Sequence, residues 1–141
     1  MKATYKHLVI TLTLNIFINC FACSIIEKPI VVVIPSYKNA HWVEKNLSSI
    51  FSQRYDNYRV IYIDDCSPDN TYELAVQVTE KNNQQHRTTI IHNAGRCGAL
   101  ANLYTVIHEC EDNSIIVTVD GDDWLPHKDV FSYINKVYTI L

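Results

Sequence analysis

The segment with the clearest chemistry is 117–125, where apolar and β-branched residues lead directly into the carboxylates Asp120, Asp122 and Asp123. Side chains of an extended chain alternate between faces, so Asp120 and Asp122 can point the same way once a strand ends. Gly121 between them has no side chain to crowd a ligand. Hard oxygen ligands of this kind suit Mg²⁺ or Mn²⁺ holding a phosphate. A polar turn after a buried strand is the alternative interpretation.

Two further polar clusters follow apolar runs in the same way. Residues 30–34 are closed by the turn 35–37, and residues 60–63 are closed by the paired acids 64–65. Runs that are apolar throughout predict strands buried on both faces, which is the arrangement of parallel sheets. Ligands bind beyond the carboxyl ends of the strands in such sheets, so all the polar clusters are predicted at one edge.

Helical spacing of apolar residues alternates with these strands. The pattern predicts helices from about 40 to 53, after Ser67 with Pro68 at the first position, and from about 98 to 109. Further strands are predicted at 88–92 and 115–119, and a last helix at 129–138. The predicted inward-facing residues of the second and third helices are Leu74, Ala75, Val78, Leu100, Leu103 and Ile107. This alternation predicts an α/β fold, a mostly parallel sheet with helices on both faces.

Four segments, in this order, resemble the family-two glycosyltransferases with the GT-A fold. They are VIPSYKN at 33–39, IDDCSPDNT at 63–71, NAGRCGALAN at 93–102 and DGDDWLP at 120–126. The resemblance extends from about residue 30 to 135 and covers the donor-binding half of such enzymes. It implies a Rossmann-like GT-A fold that is truncated after the Asp-x-Asp motif, because similar enzymes continue well beyond it.

The resemblance implies a role for each matched position. Pro35, Ser36 and Tyr37 would lie against the nucleotide. Asp65 would accept a hydrogen bond from the imide N–H of the base, which is usually uracil in similar enzymes. Arg96 would add a positive charge near the phosphates, with a solvated loop arginine as the equal alternative.

The acid triplet matches the metal site of this family. Asp120 would approach the ribose or the metal, and Asp122 or Asp123 would coordinate the Mn²⁺ or Mg²⁺ that bridges the diphosphate. Such a cation offsets the negative charge that grows on the departing nucleoside diphosphate. The resemblance therefore implies a divalent cofactor held by Asp120, Asp122 and Asp123.

The implied function is transfer of a sugar from a nucleoside diphosphate sugar, with a UDP-sugar expected, to the hydroxyl of an unknown acceptor. Inverting relatives supply their general base from a later half, so no catalytic residue is assigned in this chain. The alternative is a truncated or degenerate nucleotide-sugar-binding module without turnover. A phosphoacceptor receiver domain ranks well behind, because its paired acids follow the first strand and a lysine closes a later one.

Residues 1–23 form a separate segment. Lys2 and Lys6 precede a mostly apolar stretch that ends in small residues, which is the layout of a secretory signal peptide. The stretch is shorter than the ~20 residues that a spanning helix needs, so cleavage is favoured over a short signal anchor. We expect residues 29–141 to form the glycosyltransferase-like domain, in the secretory pathway or exported, with membrane contact only through the N-terminal segment.

The remaining features exclude other classes or predict packing. A net charge of −3 with 19% charged residues provides no basic surface, so no nucleic-acid partner is expected. Cys66, Cys97 and Cys110 are predicted to be small buried fillers, with a disulfide between Cys66 and Cys97 less favoured. Trp124 is predicted to close the core, with stacking on a sugar as the alternative, and the glycosylation sequon at 46–48 is predicted to be accidental within a helix.

Overall fold

The computed structural model describes residues 26–140, so the predicted signal peptide at 1–23 lies outside the described residues. The strands are β1 (Ile30–Ser36), β2 (Tyr58–Asp64), β3 (Thr88–His92) and β4 (Ile115–Thr118). The helices are α1 (Val43–Phe51), α2 (Thr71–Lys81), α3 (Ala99–His108) and α4 (Val130–Ile140), with a 3₁₀ turn at Gln85–Arg87. Within residues 26–140, no helix combines the length and the apolar composition that a membrane crossing requires.

The strands form one sheet in the order β3-β2-β1-β4, and β1 pairs in parallel with both β2 and β4. Alternate residues of a strand face opposite sides of the sheet, and each side has its own core. On one side, Val32, Ile34, Val60 and Tyr62 pack with buried residues of α1, α2 and α4. On the other side, Val31, Val33, Ile61 and Ile63 pack with Val106 of α3. The predicted α/β fold with helices on both faces is confirmed.

Two helices begin later than the periodicity predicts, because hydrogen bonds order the turns before them. The Asn39 carbonyl accepts hydrogen bonds from Trp42 N and Val43 N, so residues 40–42 form a turn before α1. Asp69 Oδ1 accepts from Thr71 Oγ1 at 2.6 Å, and α2 begins at Thr71. Pro68 therefore lies ahead of the helix and not at its first position.

The predicted inward face of α3 is confirmed only in part, because Leu103 packs against the second core but Leu100 faces solvent. Leu100 is 82% exposed, whereas the buried residues of the helix are Asn102 and Val106. Asn102 accepts a hydrogen bond from Asn93 at the end of β3, and Val106 packs on the second core. This orientation leaves Leu103 and Ile107 half-buried, because the hydrogen bond from Asn93 turns the Asn102 side of the helix toward the sheet.

Candidate functional site

The three predicted polar clusters meet at the carboxyl edge of the sheet. Asp65 N donates to the Ser36 carbonyl at 2.8 Å, which joins the end of β2 to the end of β1. Gly121 N donates to the Pro35 carbonyl at 3.1 Å, which joins the residues after β4 to the same strand. The end of β1 therefore lies between the paired acids and the acid triplet, as the parallel topology predicts.

An open cavity of about 110 Å³ lies at this edge, on the β2 side of the end of β1. Its lining includes the predicted residues Pro35, Ser36, Tyr37, Asp65 and Arg96, together with Gly98, Ala99 and Asn102. The cavity thus brings together the positions assigned to the nucleotide, with the exception of Asp120. Asp120 belongs to the turn 120–123, whose three aspartates are exposed and which we call the acid turn.

Asp65 is 3% exposed, and its carboxylate holds the loop that precedes α3. Oδ1 accepts from Cys97 N at 2.8 Å and from Asn93 Nδ2 at 2.9 Å, and Oδ2 accepts from Gly98 N at 2.8 Å. Burial raises the pKa of Asp65, but these donors outweigh burial and lower the pKa to about 2. Asp65 is therefore ionised under ordinary conditions and fixes one wall of the cavity.

The lowered pKa of Asp65 predicts an acid-sensitive contribution to stability. Because the pKa is about 2 in the folded chain against an ordinary 3.8, the carboxylate stabilises the fold fully above pH 3.8 and progressively less as the pH falls through about 2. We expect Asp65→Asn to destabilise the chain at about pH 5 and to differ less from wild type at about pH 2.5. Urea unfolding at both pH values measures this. Asp112→Asn, at an exposed position before β4, is the control, and a difference independent of pH would contradict the expectation.

Ser36 links the cavity to the acid turn through its side chain. Its Oγ accepts hydrogen bonds from Tyr62 Oη at 2.8 Å and from Asn39 Nδ2 at 3.2 Å. Burial raises the pKa of Tyr62 to about 12, so the phenol stays protonated and donates. A Cβ atom on Gly121 would lie 2.5 Å from Ser36 Oγ, so the acid turn is seated directly against this hydroxyl.

Arg96 lies over the ring of Tyr37 at the cavity, with 4.0 Å between its Cζ and the ring centroid. Lys38 Nζ lies 5.3 Å from the same centroid. The attraction of a cation to an aromatic face therefore places positive charge beside the cavity. Arg96 is exposed and also lines the cavity, so its contact with the phosphates stays a prediction.

Asp120, Asp122 and Asp123 are exposed at the acid turn. Among residues 26–140, no three histidine, cysteine, aspartate or glutamate side chains lie close enough together to hold a metal ion by themselves. The predicted ligands therefore do not form a preformed cage. The turn could offer one or two carboxylates to a cation whose remaining ligands are phosphate and water oxygens, which is a common coordination of Mg²⁺.

Trp124 does not close the core, contrary to the prediction. It is 43% exposed and stacks on Trp42, with 5.8 Å between the ring centroids and 25° between the planes. Lys45 Nζ lies 3.1 Å from the Trp124 centroid. The core contact at this end of the chain is made by Leu125 instead, and Trp124 forms part of the surface beside the acid turn.

The cysteines correct a second packing prediction. Cys66, Cys97 and Cys110 are all free thiols, so the less favoured disulfide does not form. Cys97 is exposed, so the prediction of a buried filler is wrong there, whereas Cys66 and Cys110 are half-buried and Cys110 packs against the second core. Cys97 is held at the surface because its backbone N–H binds Asp65.

Three asparagines organise the site without having been predicted as site residues. Asn93 Nδ2 bridges Asp65 Oδ1 and Asn102 Oδ1, and Asn46 Nδ2 donates to the acid turn. Asn93 follows a strand at the carboxyl edge, which is a signal that could have indicated it. Asn46 is 1% exposed, so the asparagine of the sequon at 46–48 is buried in α1, in agreement with the prediction that the sequon is accidental.

Comparison with known proteins decides the family. A family model described as "Glycosyl transferase family 2" matches residues 31–139. The chain belongs to glycosyltransferase family 2. Similar proteins include the glycosyltransferase GlyA of Streptococcus pneumoniae, 26% identical over 113 residues that make up 80% of this chain and 16% of GlyA. The putative colanic acid biosynthesis glycosyl transferase WcaA of Escherichia coli is 29% identical over 97 residues, 69% of this chain and 34% of WcaA.

Solved structures have the same fold. The mannosyltransferase PcManGT from Pyrobaculum calidifontis, in complex with GDP-Man and Mn²⁺, matches with a TM-score of 0.70 and 23% identity over 78% of this chain. S. aureus TarS in complex with UDP-GlcNAc matches with a TM-score of 0.64 and 19% identity over 79% of this chain. These matches identify the GT-A fold. The chain spans 32% of the first of these proteins and 31% of the second, and 15% to 34% of its curated relatives.

Proposed function

We propose that this chain forms the nucleotide-sugar-binding part of a glycosyltransferase that transfers a sugar from a nucleoside diphosphate sugar to an acceptor hydroxyl. The observation that carries the proposal is the position of Ser36 between two sites of different chemistry. On one side is the cavity with Asp65 and Arg96, and on the other is the exposed acid turn. A nucleoside diphosphate joins a base to a diphosphate. Ser36 joins the cavity to the acid turn in a similar way, so one such ligand could contact both sites.

The base is proposed to occupy the cavity, with uracil as the favoured base. Asp65 is an ionised acceptor in the wall, and a carboxylate oxygen can accept a second hydrogen bond from an imide N–H. Oδ2 accepts from Gly98 N, which leaves a further lone pair for the base. Tyr37 provides an aromatic surface beside this position, held by Arg96.

The diphosphate is proposed to lie between Arg96 and the acid turn. One or two of Asp120, Asp122 and Asp123 would hold Mn²⁺ or Mg²⁺ together with the phosphate oxygens. When bound, the cation offsets the charge that develops on the nucleoside diphosphate as it leaves the sugar. Arg96 contributes a fixed positive charge to the same phosphates, and the exposed carboxylates keep the phosphates from approaching without a cation.

Calorimetric titration tests the binding part of the proposal. We expect UDP to bind, and Mn²⁺ to tighten its binding compared with EDTA, because the acid turn repels a bare diphosphate. Uridine, which lacks phosphates, is the control and should bind equally with Mn²⁺ and with EDTA. GDP tests the preference for uracil and is expected to bind more weakly than UDP. The proposed function would be contradicted if neither UDP nor GDP binds.

Product release separates an enzyme from a binding module. We expect the chain to release nucleoside diphosphate from a donor sugar slowly. Acceptor alcohols should accelerate this release little, because none of the site residues described above acts as a base on the acceptor hydroxyl. General-base assistance contributes roughly two to four powers of ten in rate. Nucleotide binding with no release at all would favour the alternative of a binding module without turnover.

A further inference from the structure

Asn46 is an unusual residue for its position in α1. It is 1% exposed and shares the inward face of the helix with Val43, Leu47 and Ile50. Asparagine is among the weaker helix formers, and burying its amide is unfavourable unless the amide is hydrogen-bonded. A leucine would suit both the helix and the core at this position. The presence of asparagine therefore requires an explanation from its contacts.

The contacts of Asn46 are with the acid turn, more than seventy residues away along the chain. Nδ2 donates to the Asp120 carbonyl at 3.0 Å and to the Asp123 carbonyl at 2.7 Å. Because both partners are acceptors, only the amide nitrogen can face them, which determines the orientation of the side chain. One side chain thus ties together the first and last residues of the acid turn.

The other atom of the same amide is left without a hydrogen bond. Asn46 Oδ1 is buried and has no hydrogen-bond partner among residues 26–140. An unpaired buried acceptor is destabilising, so the residue is not the best choice for folding alone. The two bonds made by Nδ2 are consequently the contribution that distinguishes asparagine from an apolar residue at position 46.

The neighbouring contacts hold the acid turn in the same place while its carboxylates stay free. Gly121 N binds the Pro35 carbonyl, and Ser49 Oγ accepts from Leu125 N at 3.0 Å. Asp122 and Asp123 are exposed. The backbone of the turn is therefore fixed from the inner side by α1 and β1, and its acidic side chains project from a rigid base.

We propose that Asn46 is a positioning residue that sets the backbone of the acid turn for binding a divalent cation with a diphosphate. This inference rests on the proposed function, in which the acid turn supplies the protein ligands of the cation. Asn46 touches neither cation nor nucleotide. It acts through the Asp120 and Asp123 carbonyls. The positions of these carbonyls determine where the carboxylates of the acid turn can reach.

The test is the affinity for UDP of wild type and Asn46→Ala, measured by calorimetry with Mn²⁺ and with EDTA. We expect the tightening by Mn²⁺ to fall ~10- to 100-fold in Asn46→Ala, which is the usual effect of losing a residue that orients metal ligands. Affinity with EDTA should stay within about twofold, because the cavity residues do not include Asn46. A purely structural role would weaken binding equally under both conditions.

Asn82→Ala is the matched control, because it also removes an asparagine amide that donates to a backbone carbonyl, here that of Val78 at the end of α2 and not in the acid turn. It should retain the tightening by Mn²⁺. Asn46→Ser, which keeps one donor, replaces Asn46→Ala if circular dichroism finds the alanine variant unfolded, and is expected to lose part of the tightening. A folded variant at position 46 that retains the full wild-type tightening overturns the inference. Wild type without any tightening by Mn²⁺ overturns the proposed function instead.

Discussion

Asp122→Asn is expected to remove most of the Mn²⁺-dependent affinity for UDP while leaving folding stability nearly unchanged. Asp122 is exposed at the acid turn, so losing its charge should change the free energy of unfolding by no more than about 0.5 kcal/mol. A cation that takes only one or two protein carboxylates loses a large share of its ligands in this variant. We expect the tightening by Mn²⁺ to fall about 100-fold. This equals the largest loss of metal affinity that is usual when a residue that only orients metal ligands is replaced.

Calorimetry with Mn²⁺ and with EDTA, together with thermal unfolding, measures both effects on the same samples. Asp112→Asn is the matched control, because Asp112 is also exposed but precedes β4 and so lies at the opposite edge of the sheet. It should behave as wild type in both measurements. Unchanged tightening by Mn²⁺ in Asp122→Asn would return the acid turn to the alternative of an ordinary polar turn.

Gly121→Ala is expected to lower both stability and Mn²⁺-dependent binding. A Cβ atom at this position would lie 2.4 Å from Asn39 Nδ2 and 2.8 Å from Ser36 Cβ. Ser36 is buried and belongs to β1, so the turn must move outward. Inserting a methyl group into packed structure costs about 1–3 kcal/mol. The displaced turn would also lose its hydrogen bonds to Asn46 and Pro35. We therefore expect Mn²⁺ no longer to tighten the binding of UDP.

Gly95→Ala provides the control for this substitution. No atom lies within 4 Å of a Cβ at Gly95, so the same chemical change meets open space. Urea unfolding should give a free energy of unfolding for Gly95→Ala close to that of wild type, and a clearly lower one for Gly121→Ala. Equal stability of the two variants would mean that the acid turn is not seated against Ser36 as described.

Several features of the fold followed from local sequence. Residues 30–34 and 60–63 are apolar without interruption, and both form buried parallel strands, β1 and β2. A run of this kind is stable only where helices cover both faces of the sheet, so the fold class can be inferred from it. The meeting of Pro35, Asp65 and Gly121 at one edge follows in turn, because parallel strands end on the same side.

Details of helix faces and turns could not be predicted in this way. The spacing of Leu100, Leu103 and Ile107 suits an inward stripe, yet Leu100 faces solvent. An apolar periodicity identifies a helix but leaves its rotation to the contacts it meets, here the bond between Asn93 and Asn102. Trp124 was misplaced for a similar reason, since stacking on Trp42 and Lys45 competes with burial.

The sequence by itself determined the family, the parallel α/β fold and the edge at which the polar clusters gather, because these depend on motifs and apolar runs within short segments. Only the tertiary structure decided that Asp65 orders the loop before α3 and that Asn46 ties together the ends of the acid turn. Those bonds join residues that are distant along the chain and adjacent only after folding. A donor buried in a helix acquires its partners from whatever the fold brings to it, and no local pattern records that choice.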